Sequence, residues 1–270
     1  MTTINCVVTA GGLPQPGEPM YELTQGKSKA LINMNGRTML ERVMDALQAS
    51  QTIGEIVVVG LGSDLGMAFQ KPVTHLPDHG SLLKNALAGI AKMRQLHPET
   101  NLVLLCSADI PTITGAIVDD FIQKCAPYDR GIVYNFVDKP TMEARFPHSN
   151  RTYVKLKDAL VAGGDMTLIQ ADLADSNQDV WEALTNARKH AWQLARIVGF
   201  RFLFKFLLRQ LSIADIESAA ERITGRPAQV MLNPHAEIAM DADKPEQVLL
   251  LREDIEHRGV GVKSRGEAGG

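Results

Sequence analysis

An α/β fold with a mostly parallel sheet sandwiched by helices is what the sequence predicts, and two observations predict it. Short apolar runs without polar alternation recur at Ile4 to Thr9, Glu55 to Gly60, Leu102 to Ala108 and Gly131 to Val137, the pattern of strands buried on both faces. Stretches of helical length and period separate them, and a βαβαβα order implies right-handed crossovers. In such sheets ligands bind at the carboxyl ends of the strands.

Taken in order, the first strand ends in Ala10-Gly11-Gly12, and a Pro- and Gly-rich loop then leads to Ser28-Lys29. Glycine backbones let phosphates approach closely and a lysine neutralises them. Thr38 and Glu41 stand in capping-box spacing at the start of a helix from Thr38 to Ala49. Gly80-Ser81 opens a helix to Leu96, and another runs from Thr114 to Cys125 after a proline turn. From about Asp138 to His235 the alternation lapses into mixed segments and several helices. Ala236 to Met240 then reads as a short strand, and Lys244 to about His257 as a helix. Residues 1–258 are expected to form one domain with an insertion at about 138–235 on the acceptor side, and residues 259–270, rich in glycine and charge, a disordered tail.

With 45% hydrophobic and 22% charged residues, the chain of 270 residues can bury a full core. A net charge of -3 supplies no broad basic field, so nucleic acid is not an expected partner and a phosphate ligand must be held locally. Cys6, Cys106 and Cys125 are widely spaced, which suits a reducing compartment. No leader-like opening and no apolar run of spanning length are present, so a cytoplasmic location is expected.

The second candidate for chemistry is Leu102-Val-Leu-Leu-Cys-Ser-Ala-Asp109-Ile-Pro111. An aspartate at a strand's carboxyl end can hold Mg²⁺ against a triphosphate, or it can cap the turn that follows. The third is Ala239-Met240-Asp241-Ala242-Asp243-Lys-Pro245-Glu246, two carboxylates just before a Pro-initiated helix. Between these lies His79-Gly80-Ser81-Leu-Leu-Lys84-Asn85-Ala-Leu-Ala-Gly89, whose helix start offers free N–H groups. Ser81 is equally suited to cap that helix or to touch a ligand, and Asn85 to present its amide to a base or to face solvent.

Occurring in this order, the Gly11-Gly12 loop with Lys29, the Ser-Ala-Asp109-Ile-Pro segment and the late Asp241-x-Asp243-x-Pro-Glu segment resemble the molybdenum cofactor guanylyltransferase-like (MobA-like) NTP transferases over roughly residues 4 to 125 and 236 to 257. The resemblance implies a Rossmann-like fold of the glycosyltransferase-A, or nucleotide-diphospho-sugar transferase, type with a helical insertion. It implies a nucleotidyltransferase that moves a nucleoside monophosphate from an NTP to a small phosphorylated acceptor with release of pyrophosphate. Lys29, Asp109 and Asp241 are then the catalytic residues, with Mg²⁺ on Asp109 and Asp241. Ala10, Gly11, Gly12, Gly80, Ser81 and Asn85 contact the nucleotide, and Asp243 is left to cap the last helix. A nucleotide-sugar glycosyltransferase of the same fold, or a silent nucleotide-binding protein, is the alternative. One departure stands out: the family's loop commonly has Ser-x-Arg-Met-Gly before its lysine, whereas Leu13 to Lys27 is longer, holds three prolines and has no arginine. Lys27 or Arg37 is left to supply that charge.

In the middle region, Arg145, Arg151 and Lys155 offer cations to an acceptor and Gly163-Gly164-Asp165-Met166 reads as a flexible turn; Lys155 is the acceptor-side residue preferred. Gly199-Phe-Arg201-Phe-Leu-Phe-Lys205-Phe-Leu-Leu-Arg209 places three cations on one helical stripe. Such a helix suits an interfacial membrane segment, a homodimer face or a core element with its basic heads in solvent. The last is expected, with Phe200, Phe204 and Leu207 as core or subunit contacts and no membrane contact.

Overall fold

The computed structural model describes residues 2–176 and 199–266. β1 (Ile4–Thr9) leads through a loop carrying the single-turn α1 (Tyr21–Thr24) and a 3-10 turn at Lys29–Leu31 to α2 (Met39–Ala49). β2 (Ile53–Gly60), β3 (Val73–Pro77), α3 (Leu82–Leu96), β4 (Leu102–Ser107) and α4 (Gly115–Lys124) follow. β1 lies between β2 and β4 and parallel to both, and β3 extends the sheet parallel to β2. Both faces are covered, which is why these strands are apolar throughout. Cys6 and Val8 pack with Leu40, Val43, Leu47, Val118 and Phe121 of α2 and α4. Val7, Val57, Val59 and Val103 face the other way, onto Ile90 and Met93 of α3.

The expected helix starts are those observed. Thr38 Oγ1 accepts from the Glu41 N–H at 3.2 Å while the Glu41 carboxylate accepts from the Thr38 N–H at 2.7 Å, and Ser81 and Thr114 cap α3 and α4. Cys6, Cys106 and Cys125 are free and buried.

Beyond residue 131 come β5 (Ile132–Asp138), α5 (Lys139–Arg145), β6 (Val154–Lys155), β7 (Leu160–Gln170) and α6 (Leu173–Ser176). After the undescribed stretch follow α7 (Phe200–Leu207), α8 (Ile213–Thr224), β8 (Ala228–Leu232), a 3-10 turn at Ala236–Ala239 and α9 (Pro245–Gly266). Residues 138–235 therefore supply helices and also part of the sheet, whose order is β3-β2-β1-β4-β7-β5-β8 with β6 paired to β7. β7 is antiparallel to β4, β5 and β6, and β8 is parallel to β5.

Four expectations are corrected here. Gly163, Gly164 and Asp165 form no turn but lie inside β7, because a Cβ at Gly163 would come 2.5 Å from the Tyr134 hydroxyl, and at Gly164 2.8 Å from Asn135 Cβ and 2.9 Å from Ile238 Cγ2. These glycines serve close packing rather than chain reversal. Ala236 to Met240 is not a strand: the Ile238 N–H closes a turn onto His235 O, and the apolar residues fill a core with Met34, Met39, Met142 and Phe146. A short, wholly buried run carries no period by which to tell strand from helix. α9 continues through residues 259–266, where the sequence predicts a tail, while 267–270 lie outside the described residues. Finally, Phe204 and Leu207 are 64% and 77% exposed, so they are not core contacts. Phe202 instead turns inward to Phe136, Leu156, Val161 and Leu211, and the Phe200 side chain lies outside the described residues.

Candidate active site

At the carboxyl ends of β1 and β4 lies a cleft of about 610 Å³, lined by residues from five parts of the chain, Gly11, Gly12 and Lys29 among them. Gly12 has φ +104°, a backbone that L side chains rarely adopt, and a Cβ on Gly11 would fall 2.4 Å from the Asn85 amide. Glycine is required at both positions. The Lys29 N–H donates to Gly12 O at 3.2 Å. Ser28 Oγ donates to Ala10 O at 2.6 Å and accepts from the Ala30 N–H, capping the 3-10 turn that presents Lys29. The glycine turn and the lysine thus form one stitched unit despite the long loop between them.

Lys29 Nζ sits between two carboxylates, 3.0 Å from Asp109 Oδ2 and 2.5 Å from Asp243 Oδ1. Burial works against its charge, but the Asp109 and Asp243 carboxylates outweigh that and hold its pKa above the ordinary lysine value. Ser107 Oγ donates to Asp109 Oδ1 at 2.5 Å, and the Ala242 N–H donates to Asp109 O at 3.1 Å, so the end of β4 and the segment before α9 are tied together. Carboxylate oxygens of Asp109, Asp241 and Asp243 lie within 4.8 Å of one another. Hard oxygen donors at this spacing match the chemistry of Mg²⁺. Asp241 is buried and paired with Arg151.

Asp78 and Asp165 also line the cleft, so five acidic side chains face it against one lining cation, Lys29, among the described residues. Burial, and behind it the Asp109 carboxylate, pushes Asp165 up to about 8, with Arg151 and Lys29 opposing. A polyphosphate cannot enter so acidic a cleft without cations to neutralise both partners.

Of the expected residues, the structure brings together Lys29, Asp109, Asp241, Gly11, Gly12, Gly80, Ser81 and Asn85. Ser81 does cap α3, accepting from the Lys84 N–H at 3.2 Å, while lining the cleft. Asn85 is buried, donating to Asp78 Oδ1 at 2.7 Å and accepting from the His79 N–H at 2.7 Å, so its amide holds the 78–79 loop in place. Ala10 is buried beneath the cleft floor and contributes its carbonyl to Ser28. Lys155 is exposed on β6 and outside the cleft lining. Lys27 is exposed and outside it too, and Arg37 pairs with Asp45 and Glu41, so neither replaces the absent loop arginine. Arg145 is bound by Glu237 and Asp254.

Sequence reasoning missed Asp165, hidden behind the supposed glycine turn, and Asp78. It also misjudged Asp243: Gln247 Oε1 accepts from the Asp243 and Lys244 N–H groups at the start of α9, which frees the Asp243 carboxylate to hold Lys29.

A family model for the MobA-like NTP transferase domain matches residues 6–146, and the solved structure of a hypothetical transferase from Thermus thermophilus is 33% identical, with a TM-score of 0.75 over 92% of this chain and 100% of that one. The chain belongs to the MobA-like NTP transferase family. This NTP transferase is a nucleotidyltransferase, as the family is. Its fold is also that of CMP:2-keto-3-deoxy-manno-octonic acid synthetase complexed with CTP, at 12% identity and a TM-score of 0.57 over 96% of this chain and 100% of that one. The 4-diphosphocytidyl-2C-methyl-D-erythritol synthase of Anaerococcus prevotii DSM 20548 has the same identity and TM-score, over 94% and 96%. The family match contains the glycine turn, Lys29 and Asp109; Asp165, Asp241 and Asp243 of this NTP transferase come from the chain beyond it.

Proposed function

We propose that this NTP transferase moves a nucleoside monophosphate from an NTP to a small phosphorylated acceptor, releasing pyrophosphate, and that it uses Mg²⁺. The observation that carries the reading is the apposition of Lys29 and the Gly11-Gly12 turn to the Asp109, Asp241 and Asp243 carboxylates in one cleft. These carboxylates are the residues that would hold the metal. When bound, Mg²⁺ supplies charge neutralisation to the phosphate oxygens and to the departing pyrophosphate.

The chain's own residues do the rest by position. The Gly11-Gly12 turn lines the cleft with backbone that carries no side chain of its own. Lys29, fixed by Asp109 and Asp243, offers an ammonium to the negative charge that grows on the transferring group. Gly80, with φ +85°, and Ser81 also line the cleft. The relatives with the same fold that act on cytidine nucleotides and sugar or polyol derivatives suggest the acceptor class. A phosphorylated acceptor brings its own anionic nucleophile, so no enzyme base is required for the attack.

The test is pyrophosphate release from each of the four NTPs with Mg²⁺ and a panel of sugar 1-phosphates, polyol phosphates and pterin phosphates. Turnover with one acceptor, with the nucleotidyl product identified by mass, is expected. Transfer of sugar from nucleotide sugars without pyrophosphate release would establish the glycosyltransferase reading instead.

A further inference from the structure

We propose that Arg151 is the cation that receives the acceptor's phosphate, held on Asp241 until a metal claims that carboxylate; that the acceptor is phosphorylated rests on the reading above. Arg151 lies on the loop between α5 and β6, and its Nη1 is paired with Asp241 Oδ1. The side chain is only 11% exposed, and its Nε has no hydrogen-bond partner. Asp241 is thus needed twice. It is one of the three carboxylates within 4.8 Å of one another that suit a divalent ion, and it is the counter-charge of a largely buried guanidinium. A metal ion and Arg151 drawn to the same carboxylate repel each other.

Two phosphorylated ligands meet in this reaction, and the lining offers them one cation among the described residues. Lys29 is fixed by Asp109 and Asp243 and serves the triphosphate. Lys155 is outside the lining, and Arg145 is bound by Glu237 and Asp254. Arg151 stands one side chain behind the cleft wall. Asp241, which it touches, lines the cleft, and so does Asp165, whose upward shift its charge opposes. A buried guanidinium that must share its carboxylate with a metal is left short of negative charge, a costly condition that an incoming phosphate relieves. Its N–H fork also matches phosphate oxygens better than an ammonium does.

The backbone beside Arg151 is pinned, so a change of partner falls to the side chain. Lys244 Nζ donates to Asn150 O at 2.8 Å, and Asn150 Nδ2 donates to Glu246 Oε1 at 2.9 Å. The buried Gln247 amide joins the two segments: Nε2 donates to Ser149 O at 3.2 Å, while Oε1 accepts from the Asp243 and Lys244 N–H groups. Arg151 is thereby anchored to the same short segment that carries Asp241 and Asp243. Metal on Asp241 and phosphate on Arg151 accordingly favour each other, a reciprocal coupling of the two sites.

The full chain and its Arg151→Gln variant are to be compared in two titrations. The first follows Mn²⁺ alone through loss of the free-ion electron paramagnetic resonance signal. The second follows inorganic phosphate by calorimetry, with Mg²⁺ and pyrophosphate present to fill the triphosphate side. Arg151→Gln should bind Mn²⁺ about fivefold more tightly, since a competing charge is gone, and phosphate about tenfold more weakly, since a charge-assisted hydrogen bond is lost. Arg151→Lys should recover part of both differences. Asp241→Asn, which releases Arg151 and serves if the first variant does not fold, should bind phosphate in the presence of a chelator where the wild type does not. A residue that merely orients Asp241 gives the opposite sign for Mn²⁺. Unchanged or weaker Mn²⁺ binding in Arg151→Gln, or phosphate affinity equal to wild type, or metal-dependent phosphate binding in Asp241→Asn overturns the proposal. Neither titration reads turnover, so both expected shifts in a chain that releases no pyrophosphate with any acceptor would refute the proposed activity and leave the Arg151 phosphate site standing.

Discussion

With burial opposing its charge and two carboxylates within 3.0 Å restoring it, Lys29 remains an ammonium across the working pH range, a fixed positive charge and not a proton carrier. Lys29→Ala should therefore raise KM for the triphosphate and lower kcat, together by at least tenfold in kcat/KM. Lys29→Arg should recover only part of this, because a planar fork does not reproduce a compact ammonium between two carboxylates. Steady-state constants equal to wild type in the alanine variant would remove Lys29 from the mechanism. For Asp109→Ala, losing a principal metal ligand should cost about 3 kcal/mol of transition-state stabilisation, a hundredfold or more in rate, with circular dichroism unchanged. Asp241→Ala should be nearly as damaging and also leaves Arg151 without its partner. Sequence alone makes Asp243 the milder of the pair; its 2.5 Å contact with Lys29 puts Asp243→Ala close to the others. Wild-type turnover in Asp109→Ala with Mg²⁺ would refute the metal assignment.

At the scale of elements, the parts legible in the sequence are those whose signal is local. The strand at Ile4–Thr9 is legible because both faces are buried, and Thr38, Ser81 and Thr114 announce their helices because a cap side chain must sit next to the N–H groups it satisfies. The glycines of β7 are not legible, since the reason for them lies across the sheet in Tyr134, Asn135 and Ile238. Asp165 was lost with that strand. The cleft was legible to the extent that its residues sit in short motifs at strand ends; the Gln247 contact that frees Asp243 is a tertiary fact. Gly89 shows the same principle in a helix. Replacing it with alanine adds helix propensity of about 1 kcal/mol, but the new Cβ would lie 2.3 Å from Val7 Cγ1 and 3.0 Å from Val59 Cγ2, both in fully buried strands. Overpacking of about 1–3 kcal/mol should win, and Gly89→Ala should lower the unfolding midpoint in urea. A gain in stability would mean that α3 stands farther from the sheet than this.

At the scale of the whole molecule, the cleft gathers Lys29 from the loop after β1, Asp78 from the end of β3, Asp109 from β4, Asp165 from β7 and Asp241 and Asp243 from the approach to α9. These segments are far apart in sequence, so a ligand that neutralises their mutual repulsion draws the entire fold together and should stabilise it against global unfolding. A ligand present at a hundred times its dissociation constant adds about 2.7 kcal/mol, and for a domain of this size each kcal/mol moves Tm by about 2–4 °C. An NTP with Mg²⁺ should accordingly raise Tm by about 5–10 °C. Mg²⁺ alone should give a small rise, and the NTP with a chelator little or none, because the ionised aspartates of the cleft then confront the triphosphate with a single lysine between them. In Asp109→Ala the joint rise should fall to the level of the separate ligands. An equal rise from the NTP without metal would show that the triphosphate is held away from these carboxylates, and the cleft would have to be read as binding some other ligand.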